Sequence, residues 1–142
     1  MAELKTKATK ASAQAFLNSI KDDQIRADCQ VVARIMEKAT KAKPVMWGSG
    51  LVGFGAYHYK YASGREGDWM LTAFAPRKGK FTVYIMPGFE GGGELKKQLG
   101  KHTGGLSCFH IKRLADVHVP TLTKMIDLSV KHLRKTSTPV VR

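Results

Sequence analysis

The chain has 142 residues, 43% of them hydrophobic, enough for one domain to bury a core without disulfide or metal staples. Its two cysteines, Cys29 and Cys108, form no CxxC pair and read as reduced thiols, and no run approaches the ~20 apolar residues of a membrane-spanning helix. Charge is the outlier: 24 basic against 11 acidic residues give +13, a field that attracts polyanions without selecting among them.

Residues 1–11 read as a flexible basic tail. No apolar stretch follows the lysines there, so no targeting segment is expected and the setting is expected to be cytoplasmic, without a membrane partner. From Ser12 a short helix carries Phe16, Leu17 and Ile20 on one side. Asp22-Asp23 offers a cap for a longer helix, whose Ile25, Cys29, Val32 and Met36 recur at helical spacing. Lys41-Ala42-Lys43-Pro44 ends it.

After Pro44 the period changes to two. Val52, Phe54 and Ala56 alternate with Tyr57, Tyr59 and Tyr61, residues 62–67 form a turn, and Trp69, Leu71 and Ala73 alternate with Met70, Thr72 and Phe74. Pro76-Arg77-Lys78-Gly79 makes a second turn before Phe81, Val83 and Ile85. A short helix from Glu94 to Leu99 ends at Gly100, Leu106 to Ile111 forms another strand, and a last helix starts near Pro120 with Leu122, Ile126, Val130 and Leu133 on one face. Residues 136–142 read as a second loose tail. The expectation is one α+β domain over residues 12–135: an antiparallel sheet of about five strands with helices packed on one face.

Catalytic patterns are weak. Gly91-Gly92-Gly93 before a helix start suits an anion, yet it matches no phosphate-loop spacing, and Glu90 and Glu94 would repel one. Cys108-Phe109-His110 places two soft ligands on one strand face without the paired spacing of a zinc site. Trp47-Gly48-Ser49-Gly50 only partly resembles a nucleophile elbow and precedes a strand rather than a helix. Arg77-Lys78-Gly79-Lys80, Lys96-Lys97, Lys112-Arg113 and Lys131 to Lys135 are basic groups that suit phosphates, with no nucleic-acid-binding signature beside them.

Both tryptophans, all four tyrosines and three of the six phenylalanines fall between Pro44 and Met86. Aromatic walls with a few polar tips suit small-molecule recognition, which makes Trp47, Gly50, Phe54, Tyr57 and Tyr59 the candidate ligand site.

The same stretch carries a family resemblance. Met46-Trp47-Gly48, Gly50, Gly53-Phe54, Tyr57, Tyr59, Ser63-Gly64, Trp69, Ala73-Phe74, Pro76-Arg77-Lys78 and Tyr84 resemble the YdhG-like domain-of-unknown-function family. Leu95-Lys96, Leu99-Gly100-Lys101-His102, Cys108 and Ile111-Lys112-Arg113-Leu114-Ala115-Asp116-Val117 continue the match. The resemblance implies a small bacterial cytoplasmic α+β domain without an established enzyme activity. Some relatives are described as frataxin-like iron chaperones, a role that relies on acidic groups of the first helix and the adjoining sheet edge. Here the first long helix offers Asp22, Asp23, Asp28 and Glu37 interleaved with Arg26, Arg34 and Lys38, and the strand from Val52 to Lys60 has no carboxylate.

The sequence thus leads to a non-enzymatic domain that binds an unidentified small ligand through its aromatic and glycine-rich sheet face, with no cofactor and no metal site. Iron handling and weak, non-specific polyanion binding are the alternatives. An exposed strand edge would also permit a homodimer.

Overall fold

The computed structural model describes residues 11–48, 50–60, 63–64, 66–86, 91–104, 107–136 and 138–139, leaving out the side chains of residues 59, 60, 136, 138 and 139. Side-chain caps fix the first two helices. Ser12 Oγ accepts from the Ala15 N–H at 3.1 Å to open α1 (Ala13–Asn18). Asp22 Oδ1 accepts from the Ile25 N–H at 3.0 Å to open α2 (Asp23–Thr40). Helix α2 ends in a left-handed Lys41 (φ 56°), and Arg134 donates to the terminal Thr40 carbonyl, a cation where the helix dipole is negative.

The strands follow as β1 (Pro44–Trp47), β2 (Leu51–Phe54), β3 (Tyr57–Lys60), β4 (Glu66–Trp69), β5 (Thr72–Arg77) and β6 (Lys80–Ile85). Then come α3 (Gly92–Gln98), β7 (Cys108–Ile111), a 3₁₀ turn (Leu114–Asp116), α4 (Val119–Thr136) and β8 (Thr138–Pro139). Strands β1-β2-β5-β6-β7 form one sheet in that order, antiparallel throughout, so the α+β class with a five-stranded sheet stands.

Two features depart from the expected meander. The run from Val52 to Tyr61 is not one strand, because it breaks at Gly55 (φ 67°). A side chain there would meet Leu71 Cδ1 at 2.6 Å, so only glycine permits both the backbone angle and the close approach. The run from Trp69 to Phe74 breaks opposite it, at Met70-Leu71. Strands β3 and β4 therefore leave the main sheet and pair with β8 in a second sheet, ordered β4-β3-β8. Thr138 and Pro139, expected in a loose tail, supply β8; residues 1–10 lie outside the described residues.

Helices cover one face of the main sheet. Phe54, Phe74, Phe81, Val83, Ile85, Phe109 and Ile111 pack there with Leu17 of α1, the Ile25–Met36 stripe of α2, Leu95 of α3 and the Leu122–Leu133 stripe of α4. The opposite face has its own small cluster of Trp47, Ala56, Met70 and Ala73, to which no described helical residue belongs. That asymmetry positions the candidate site.

Candidate functional site

Alternation along the strands assigns the side chains of the helix-free face. Strand β1 gives Val45 and Trp47, and β2 gives Leu51 and Gly53. Strand β5 gives Ala73, Ala75 and Arg77, β6 gives Lys80, Thr82 and Tyr84, and β7 gives Cys108 and His110. Register aligns them into rows. Val45, Gly53, Ala73, Tyr84 and Cys108 make one row, and Thr82 stands opposite His110 with Oγ1 and Nδ1 2.8 Å apart. Arg77 stands opposite Lys80. Phe81 pairs with Ile111, the last residue of β7, and Lys112 follows at the bend just beyond it, at the Lys80 end of β6.

The centre of this face is lined by small side chains. Gly53, Ala73 and Ala75 are buried, and Trp47 lies flat against the glycine: a Cβ at position 53 would sit 2.6 Å from Trp47 Cδ1. Trp47 also meets Trp69 edge to face, with ring centroids 5.9 Å apart. Toward the β5–β6 hairpin the chemistry changes from apolar to cationic. The Arg77 guanidinium donates to the Tyr84 hydroxyl at 3.4 Å and reaches the β1–β2 hairpin, where a Cβ on Gly50 would lie 3.9 Å from Nη1. Arg77, Lys78 and Lys112 are exposed, while Lys80, Tyr84 and His110 are half-buried.

None of Arg77, Lys78, Lys80 and Lys112 has a carboxylate partner among the described residues. Acids engaged elsewhere pair locally: Asp23 with Arg26, Glu94 with Lys97, Asp127 with Lys131, and Glu66 and Asp68 with His58. The face assigned above contains no acid at all. Anionic groups meeting it would find guanidinium, ammonium, hydroxyl and imidazole donors with no competing carboxylate among the described residues.

The five residues expected to line a ligand site do not share one surface. Trp47 belongs to the helix-free face, although it is only 2% exposed, and Gly50 lies in the β1–β2 hairpin near the Arg77 guanidinium. Phe54 and Tyr57 pack in the helix-covered core. There Phe54 stacks on Phe74 with centroids 6.3 Å apart. The Tyr59 side chain lies outside the described residues. Arg77, Lys80, Tyr84, His110 and Lys112 come together only through the β5–β6–β7 register. The basic turn at residues 77–80, the Lys112-Arg113 pair and His110 beside Cys108 mark members of the group in the sequence, but as separate features that no local pattern joins.

The other sequence candidates find structural settings. Asp22 caps α2, Asp23 pairs with Arg26 at 2.6 Å, and Asp28 is buried, accepting from the Leu114 N–H at 3.0 Å. Among the described residues no group of three or more His, Cys, Asp or Glu is placed to hold a metal ion. Gly91 opens α3 without a side-chain cap, and Glu90 and Ser49 lie outside the described residues. Burial, and secondarily the charge of Asp28, push the Cys29 thiol up to about 12, so it is chemically quiet. No described helix is long and apolar enough to cross a membrane. Comparison with family models, with curated proteins and with solved structures gave no match.

Proposed function

We propose that the chain is a non-enzymatic, cytoplasmic binding domain whose ligand is anionic and sits on the helix-free sheet face, against Gly50, Arg77, Lys80, Tyr84 and Lys112. One observation carries this reading: Arg77 lies between the β1–β2 hairpin and the Tyr84 hydroxyl, with no carboxylate partner among the described residues. A guanidinium fork left open in this way fits carboxylate and phosphate oxygens. Trp47 serves this face from beneath, because its ring fills the space over Gly53 and firms the β1–β2 hairpin that faces Arg77. Membership of the YdhG-like family belongs to the same proposal and rests on the residue matches alone.

Calorimetric titration with tripolyphosphate tests the placement. Arg77→Gln is expected to weaken binding several-fold, whereas Lys124→Gln, an equal charge loss on an exposed position of α4, is expected to leave it nearly unchanged. Equal losses in the two variants would mean that the anion responds to net charge rather than to this face.

A further inference from the structure

Resting on the anion-binding reading above, we infer that the ligand is a single-stranded nucleic acid, with its phosphates along Arg77, Lys80 and Lys112 and its bases against Tyr84. Arg77 and Lys80 form a direct cross-strand pair of like charge, and Lys112 follows the last residue of the third strand, Ile111, which pairs with Phe81 next to Lys80. Like charges in that relation destabilise a sheet unless something negative answers them. Among the described residues no carboxylate does.

The geometry of the row favours a chain of anions over a single one. Neighbouring strands lie about 4.8 Å apart, so three cations at the matching ends of successive strands span roughly 10 Å. Lys78 at the hairpin tip adds a further exposed cation at one end. Beside the row stand a half-buried tyrosine, whose hydroxyl is already tied to Arg77, and the half-buried His110. Cations tracking a backbone beside ring faces on a sheet are the combination that holds unpaired bases. A duplex would present its phosphates but keep its bases stacked away from Tyr84. A free nucleotide has the same chemistry but reaches only part of the row.

The test is fluorescence anisotropy with a labelled single-stranded oligonucleotide of about twelve nucleotides, a length within the range that sheet-based binders occupy. Three phosphate contacts on a single strand give a salt slope of about −2 in log K against log salt. The triple variant Arg77→Gln/Lys80→Gln/Lys112→Gln is expected to lose that slope and about tenfold or more in affinity. The control Lys38→Gln/Lys124→Gln/Lys135→Gln removes equal charge from exposed positions on α2 and α4 and is expected to lose far less. Tyr84→Leu should weaken the oligonucleotide by roughly fivefold or more, a larger factor than for tripolyphosphate. Far-UV circular dichroism and the melting temperature show that each variant is folded.

Equal losses in the two triple variants would overturn both this inference and the anion site beneath it. Tripolyphosphate binding that needs Arg77, with an oligonucleotide bound no better and indifferent to Tyr84, would overturn the nucleic-acid assignment and leave the anion site standing. A matching duplex bound more tightly than the single strand would overturn the single-strand assignment, and a mononucleotide bound as tightly as the oligonucleotide would do the same.

Discussion

Single buried polar groups tie distant parts of this chain together. Asp28 on α2 accepts from the Leu114 N–H and from Gln24 Nε2 (2.8 Å), and Gln24 in turn accepts from Arg113. The carboxylate so fastens the turn after β7 to the helix layer. Asp28→Ala leaves a buried N–H without its acceptor, at a cost of about 1–3 kcal/mol. Asp28→Asn keeps an acceptor and should cost less; thermal melts of the two variants check the order. Cys29, next in the chain, is fully buried and raised to about 12, whereas Cys108 is half-buried. Iodoacetamide should therefore label Cys108 in the native protein and reach Cys29 only on unfolding, as peptide mass mapping would show. His58 on β3 faces Asp68 at 2.8 Å and Glu66 at 3.3 Å across the second sheet. The Asp68 hydrogen bond leads in raising its pKa above the ordinary 6.5, opposed by some desolvation and assisted by Glu66. A raised histidine stabilises the folded hairpin fully below 6.5, while the carboxylates remain ionised, and the stabilisation is lost as pH rises through the raised value. An NMR titration should place the His58 midpoint above 6.5 and show it falling in Asp68→Asn.

Elements with an unbroken period are legible in the sequence, and those whose period is reset are not. The stripes Ile25–Met36 and Leu122–Leu133 mark α2 and α4 because every apolar residue in them meets the same core. The turn at residues 78–79 marks the β5–β6 hairpin for the same reason, since alternation holds on both sides of it. Reading Val52 to Tyr61 by alternation sets Phe54 and Tyr57 on opposite faces, yet both pack in the helix-side core while Ala56 joins the second cluster. Gly55 allows the chain to turn out of the sheet, and the parity of everything beyond it changes. A period-of-two reading has no term for such a bend. Phe54 and Tyr57 enter the candidate ligand site through the local concentration of aromatics, which does not distinguish a core ring from a surface one. The β1 strand was missed because Pro44–Trp47 is too short to display a period. Gly53 tests the packing of this region: Gly53→Val drives a side chain into Trp47 and should cost about 1–3 kcal/mol, seen as a lower melting temperature.

Across the whole molecule, one sheet face is covered by helices and the other carries a basic edge. The +13 charge is legible from composition, but composition does not say where unanswered charge collects. Three-strand register does, by bringing Arg77, Lys80 and Lys112 to one end of the sheet, and β6 is separated from β7 by a long stretch of chain that hides their pairing from local patterns. Like charges opposite one another cost roughly 0.2–1 kcal/mol per pair. Lys80→Gln is accordingly expected to raise the melting temperature at low salt, with the gain shrinking as salt screens the row. A melting temperature that falls at every salt concentration would mean that the ammonium is answered within the fold.

The most direct measurement is an amide chemical-shift titration of the isotopically labelled protein with tripolyphosphate at about physiological ionic strength. Saturable shifts confined to Gly50, Arg77, Lys80, Tyr84, His110 and Lys112 are the predicted result. Shifts that gather instead on the outer surfaces of α2 and α4, or spread evenly over every lysine-bearing segment, would contradict a binding site on the helix-free face.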